Sequence, residues 1–296
     1  PEIAMENERD KVSALGFSYG YIGSVLLQVI CLLFVLKPEW FGIQDESFPP
    51  RLSFLLVGIW WFVFAHIPLL KLPKGKPIAN DTKHSVFTNG FHELKKVWHQ
   101  LKNLPVLKSY LVAFFFYSMG VQTVMLAATI FGSKVLNLET GQLITTILII
   151  QIVAIIGAEL MAKLSGKYGN LQVLLGVVFI WILVCLFAYF ITSAMEFYIV
   201  ATIVGLVMGG IQSLSRSTYA KLMPETKDTA SFFSFYDVTE KIAIVLGIFS
   251  FGFIEAITDN MRNSILALII FFIMGAVLLA FSIGKNKRNL SAVLNQ

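Results

Sequence analysis

A chain of 296 residues, 56% of them hydrophobic and only 14% charged, has too little charge to cover the surface of a soluble domain of that size. With a mean hydropathy of +0.75 and 26 phenylalanines, it must be solvated largely by lipid. That excludes the soluble enzyme and nucleic-acid-binding classes, and the net charge of +5 reads as membrane topology.

In chain order, eight segments meet the length of about 20 mostly apolar residues that a transmembrane helix needs. They lie near 14–36, 52–72, 108–131, 141–163, 171–191, 195–214, 237–257 and 264–284. A spanning β-barrel would require alternating residues, and these runs do not alternate. The fold class is therefore all-α, a polytopic transmembrane helical bundle. The chain opens on Pro1 with no short apolar stretch and small-residue cleavage site, so no secretory signal is expected. The missing initiator Met points to processing or to a piece of a longer chain.

Lysine and arginine placement sets the orientation. Eight spans put both termini on one side, and eighteen basic residues fall there against four opposite: Lys37, Arg51, Lys134 and Arg262. The termini and the longest connection are thus expected in the cytoplasm.

In the first span Gly16 and Gly20 are four apart, with Gly23 beyond, a spacing that predicts close helix contacts; Gly205 and Gly209 repeat it in the sixth. Cys31 and Cys185 lie inside apolar runs and read as packing residues. The connection from Leu72 to Leu107 begins with the breakers Pro73, Gly75 and Pro77 among lysines. An amphipathic pattern follows, with Phe87, Phe91, Leu94, Val97, Trp98 and Leu101 every three or four residues and Lys95, Lys96 and Lys102 between them. This predicts a helix lying in the cytoplasmic interface; a partner-binding helix is the rival reading. Three domains follow: 1–72, two helices; 73–107, the linker; 108–296, a six-helix bundle.

Buried amides are the polar groups at depth. Gln28, Gln122 and Gln151 each fall near mid-membrane, where an amide must find a partner. They read equally well as a polar substrate path or as helix-to-helix hydrogen bonds. A charged cluster sits at the cytoplasmic ends of the sixth and seventh spans: Gln212, Arg216, Asp237, Glu240 and Lys241. Asp237 and Lys241, one helical turn apart, are expected to pair as part of an inner gate, with Lys241 snorkelling to water as the plainer alternative. No catalytic motif appears. His92-Glu93 lacks a second His at metalloprotease spacing, and neither a phosphate loop nor a Gly-x-Ser-x-Gly elbow occurs. The chain is expected to be no enzyme and to need no metal or cofactor. Its expected partners are a small-molecule solute, the lipid bilayer and a coupling ion, with H+ the candidate, and no nucleic acid.

Several stretches resemble the major facilitator superfamily, and within it the autophagy-related vacuolar effluxers and their bacterial relatives. They are GGIQSLSRSTYAKLMP from Gly209, FFSFYDVTEKIAIVLG from Phe232, FFFYSMGVQTV from Phe114 and RLSFLLVGIWWFVF from Arg51. AKLSGKYG, from Ala162, is similar to the superfamily's cytoplasmic loop motif. Ala162 and Gly166 stand there where Gly and Asp are usual, and Met119 where the family often has an acid. Asp237 and Glu240 stand where relatives often carry Asn and Gly. The resemblance implies that the eight spans are helices five to twelve of a twelve-helix transporter, with the first four absent. It also implies a secondary-active permease or effluxer of small solutes such as amino acids, working by alternating access. A non-transporting membrane scaffold, or a truncated transporter fragment, is the alternative.

Overall fold

The computed structural model describes residues 4–45, 47–72, 86–226 and 228–294. All of its regular structure is helical: α1 (Arg9–Leu36), α2 (Phe48–Lys71), α3 (Val86–Gln100), α4 (Pro105–Val135), α5 (Thr140–Tyr168), α6 (Asn170–Phe190), α7 (Ala194–Leu222), α8 (Thr229–Thr258) and α9 (Met261–Leu294). Eight are long and apolar enough to cross a membrane, and α3 is not among them. The eight alternate in direction. The side that carries α3, the start of α1, the α5–α6 turn and the α7–α8 connection is called the linker side below.

The helices outrun the apolar runs that announce them. The sixth span, expected to stop near 214, continues as α7 to Leu222, and the seventh, expected from 237, begins as α8 at Thr229. Backbone hydrogen bonding has no reason to stop where lipid stops, and these extra turns carry packing of their own. Tyr219 donates its hydroxyl proton to the Phe232 carbonyl at 2.7 Å, and Phe114 stacks on Tyr236 at 4.2 Å.

Local chemistry sets the ends. Ser193 caps α7 by accepting from the Glu196 N–H, while the Glu196 carboxylate accepts from the Thr192 and Ser193 N–H groups. Between α5 and α6 the chain reverses at one residue, Gly169, at φ +88°, where a side chain would be strained.

Helices α4–α9 pack around a shared core, most extensively as α5 against α7 and α4 against α9. Trp181 stacks on Phe272 at 5.7 Å inside it. At the α5–α7 crossing a Cβ on Gly205 would sit 2.7 Å from the Ile150 carbonyl oxygen, and Cβ atoms on Gly157 and Gly209 would overlap the backbone opposite. The Gly205/Gly209 spacing thus marks a real close approach. The same spacing in α1 does not: a Cβ at Gly16 or Gly20 meets open space, and Gly23 reaches only the Trp60 ring of α2. α1 lies along α5 and α7, and α2 packs principally on α1.

α3 docks one side of its apolar stripe. Val97 and Leu101 are buried against the bundle, whereas Phe91 and Trp98 remain exposed. Lys96 reaches Asp228 at 2.6 Å and Ser231 donates to Glu93 at 3.0 Å, tying α3 to the start of α8. Hydrogen bonding to Asp228 raises the Lys96 pKa above its usual value. The breaker-rich stretch 73–85 and the side chain of Phe87 lie outside the described residues.

Candidate functional site: a polar cavity between α1 and the six-helix bundle

α1 is joined to the bundle by a ladder of polar contacts. At its linker-side end Asp10, almost fully buried, takes Lys221 Nζ at 2.6 Å, Ser165 Oγ at 2.8 Å and Asn170 Nδ2 at 2.7 Å. Lys221 also donates to Asn170 Oδ1 at 3.1 Å. One carboxylate therefore gathers α5, α6 and α7. The single-residue reversal at Gly169 is what brings Ser165 and Asn170 to the same point. Beside it Arg9 donates to the Ala220 carbonyl at 2.7 Å, favourable for a cation near a helix C-terminus. Farther along, Ser13 donates to the Ser213 carbonyl at 2.7 Å, Tyr21 to Gln212 Oε1 at 2.5 Å, and Gln151 Nε2 to Gln28 Oε1 at 2.7 Å. From Asp10 to Gln28 is about 27 Å at the helical rise, most of a bilayer core.

The ladder leaves spaces beside it. A cavity of about 280 Å³ is enclosed by Phe17 of α1, Tyr117 and Gln122 of α4, Gln212 and Arg216 of α7, and Tyr236 and Glu240 of α8. Gln122 donates to Glu240 Oε1 at 3.1 Å, and Arg216 lies over the Phe233 ring at 5.3 Å. Its wall is fixed by a buried network in which the Tyr117 and Ser215 hydroxyls meet at 2.7 Å and Tyr110 donates to the Ser215 carbonyl at 2.8 Å. A wider space of about 610 Å³ along α1 shares Phe17 and Arg216 with it. Gly16 and Gly20 line that space, which accounts for their lack of contacts. A third cavity, of about 340 Å³, contains Ser24, Thr129, Thr146 and Gln151. Tyr21 lines both outer spaces and bonds Gln212 of the central one, so the three meet at the Tyr21–Gln212 contact.

The residues singled out from sequence separate accordingly. Gln122, Gln212, Arg216 and Glu240 converge on the central cavity. Gln151 lines the third cavity and spends its amide on Gln28, so Gln28 joins helices and lines no cavity described here. The expected Asp237–Lys241 ion pair does not form. Both side chains are exposed, and Lys241 instead lies 3.9 Å from its neighbour Glu240. One turn of spacing permits a pair but does not require it; α8 begins two turns before Asp237 and turns that face outward. Sequence reading missed Asp10, Lys221, Asn170, Ser165 and Tyr21. Lys221 sits at a span end, where its charge registered only as topology, and Asp10 lies outside the first apolar run, where an acid carries no weight in that count. The signal available was Ser165 four residues before Gly169 and Asn170 directly after it.

The arrangement is a polar, metabolite-sized space between two helical units, with one cation and one anion on its wall. The family described as vacuole effluxer Atg22 like matches residues 2–290. An uncharacterized MFS-type transporter, YxiO of Bacillus subtilis (strain 168), is 32% identical over 95% of the chain and 65% of its own length. Autophagy-related protein 22-1 of Penicillium rubens is 28% identical over 96% of the chain and 51% of its own. The chain thus spans between about half and two thirds of these relatives. Among solved structures, the E. coli fucose:proton symporter FucP superposes with a TM-score of 0.64 at 16% identity, over 94% of the chain and 70% of that protein. This likeness establishes a shared fold.

Proposed function

The chain belongs to the Atg22-like family of major facilitator transporters, a family of transporters and not of enzymes, and from that premise we propose that it takes part in moving small zwitterionic solutes across the membrane. The observation that carries the reading is the central cavity. Arg216 and Glu240 line the same space, with Gln122 and Gln212 as neutral donors and acceptors between them. A carboxylate facing Arg216 and an ammonium facing Glu240 would be held at both ends, and amino acids are the simplest solutes with that charge pattern. The volume of about 280 Å³ lies just below the range usual for drug-sized ligands and suits a single metabolite.

In this reading the linker side, cytoplasmic by charge asymmetry, is held closed by Asp10 with Lys221, Ser165 and Asn170. The Tyr21–Gln212 contact is the inner partition. Opening separates α1 from α5 and α7, the rocking that alternating access requires. The eight spans would correspond to helices five to twelve of the superfamily's twelve, with 1–72 belonging to one bundle, 73–107 linking, and 108–296 forming the other.

The test is binding. The purified chain is titrated with amino acids while its thermal midpoint is followed, since a ligand that binds only the folded state raises it. We expect saturable stabilisation by a zwitterion, lost in Arg216→Gln and in Glu240→Gln. Stabilisation undiminished in both variants would remove the cavity as the solute site.

A further inference from the structure

α3 and its exposed face are not used by the transport reading. Val97 and Leu101 account for its buried side. On the remaining surface His92, Lys95, Lys96, His99, Gln100 and Asn103 border an open groove of about 520 Å³. Turning about the helix at 100° per residue, Phe91 and Trp98 lie between this basic strip and the docked side, and both are exposed, at 77% and 56%. The Trp98 ring lies 6.2 Å from Phe235, which is one to two turns into the membrane-spanning α8. Trp98 sits where the apolar part of α8 begins, the level at which Trp is enriched in membrane proteins. The neighbouring basic side chains then stand at the level of lipid headgroups.

We propose that this groove binds the headgroup of an anionic phospholipid in the linker-side leaflet, with its acyl chains against Phe91 and Trp98. Lys95 is exposed and supplies the phosphate contact; Lys96, held by Asp228 at 2.6 Å, fixes the groove's far edge. Gln100 and Asn103 offer neutral hydrogen bonds to a headgroup's hydroxyls. A protein partner is disfavoured by the exposed aromatics facing the level of the bilayer. A nucleic acid is disfavoured because Glu93 and Asp228 already engage Lys96. A bound lipid would brace α3 against α8, so lipid composition would tune how firmly the linker holds the six-helix bundle.

The experiment uses the purified chain in neutral detergent, with phosphatidylglycerol, phosphatidylcholine of matched acyl chains, and glycerol phosphate as probes, read by native mass spectrometry. Phosphatidylglycerol should bind more tightly than phosphatidylcholine. Lys95→Gln should weaken it about fivefold, the usual effect of one basic residue at an anionic membrane surface. Trp98→Ala should weaken it as well, and Lys167→Gln, an exposed lysine at the end of α5, should not. Thermal midpoints of the variants check that folding is unchanged; Lys95 is exposed, so its removal leaves no cavity. Unchanged affinity in Lys95→Gln, an equal loss in Lys167→Gln, or competition by glycerol phosphate as effective as by the lipid would each overturn the proposal.

Discussion

The six helices α4–α9 and the pair α1–α2 are equally apolar but held by different forces. Of the apolar stretches of α4–α9, between 17% (α8) and 56% (α4) is buried, against 6% for α1 and none for α2. Inside a bilayer the hydrophobic effect does not drive helix to helix, so association rests on van der Waals packing and hydrogen bonds. The six-helix bundle uses packing, with glycines that admit backbone contact at Gly157, Gly205 and Gly209. α1 uses a row of separate hydrogen bonds and one buried ion pair. Opening a tightly packed interface loses contacts that lipid or water does not replace in kind. A ladder of polar contacts can open and reclose, because each group has alternative partners in water or solute. In the proposed alternating-access reading, the α1 seam is therefore the one that moves.

The largest effect should come from attacking the packed region. Gly209→Leu drives a side chain into the Ala154 backbone. The cost should exceed the roughly 1–3 kcal/mol of ordinary overpacking, since backbone cannot step aside. The expected outcome is loss of the folded, monodisperse protein on size exclusion. Gly16→Ala, into open space, should leave the melting curve unchanged or slightly improved. Equal tolerance of both would erase the contrast.

Next is Asp10→Asn. Removing one partner of a buried pair typically costs about 3–5 kcal/mol, because the other charge is orphaned. Here that cost falls on the α1 seam. Cysteines replacing Ser13 and Ser213 report it: cross-linking should drop sharply in Asp10→Asn and partly recover when Lys221→Met is added. Full cross-linking in Asp10→Asn would make the cluster ornamental.

A smaller effect is expected for Tyr21→Phe, which deletes one interhelical hydrogen bond, about 0.6 kcal/mol on average in membrane proteins. The midpoint should hardly move, while solute access between the central and outer cavities, read by thiol labelling of a cysteine replacing Ser118 on the central cavity's wall, should rise. Unaltered labelling would mean that the contact is no partition.

The smallest concerns α3. The Lys96 pKa is raised by its bond to Asp228, so the pair's contribution is complete below the ordinary lysine value of about 10.4 and is lost as pH rises through the raised one. A spin label replacing Gln100 should therefore keep constant mobility from pH 6 to 9 and loosen only in strong base. Loosening near neutrality would assign the docking to other groups.

Much of this molecule is legible in its sequence. Span number and class follow from the length of apolar runs, because lipid forces every backbone group into a helix of bilayer length. The amphipathic helix at 86–100 follows from its period, and the Gly205/Gly209 contact from small-residue spacing. The same spacing at Gly16/Gly20 misleads, because spacing says that two backbones can meet and not that a second one is there.

What the tertiary structure alone decided is which polar groups share a place. Asp10 and Lys221 are 211 residues apart in sequence and in contact at 2.6 Å; Gln122 and Glu240 are 118 apart and meet at 3.1 Å. Local periodicity governs neighbours on one helix, so it suggested Asp237 with Lys241, a pair the structure leaves apart. Partners across helices depend on how each helix is rotated about its axis. In a bilayer that rotation is set by packing against the others, since lipid on every side gives a nearly uniform helix little preference of its own.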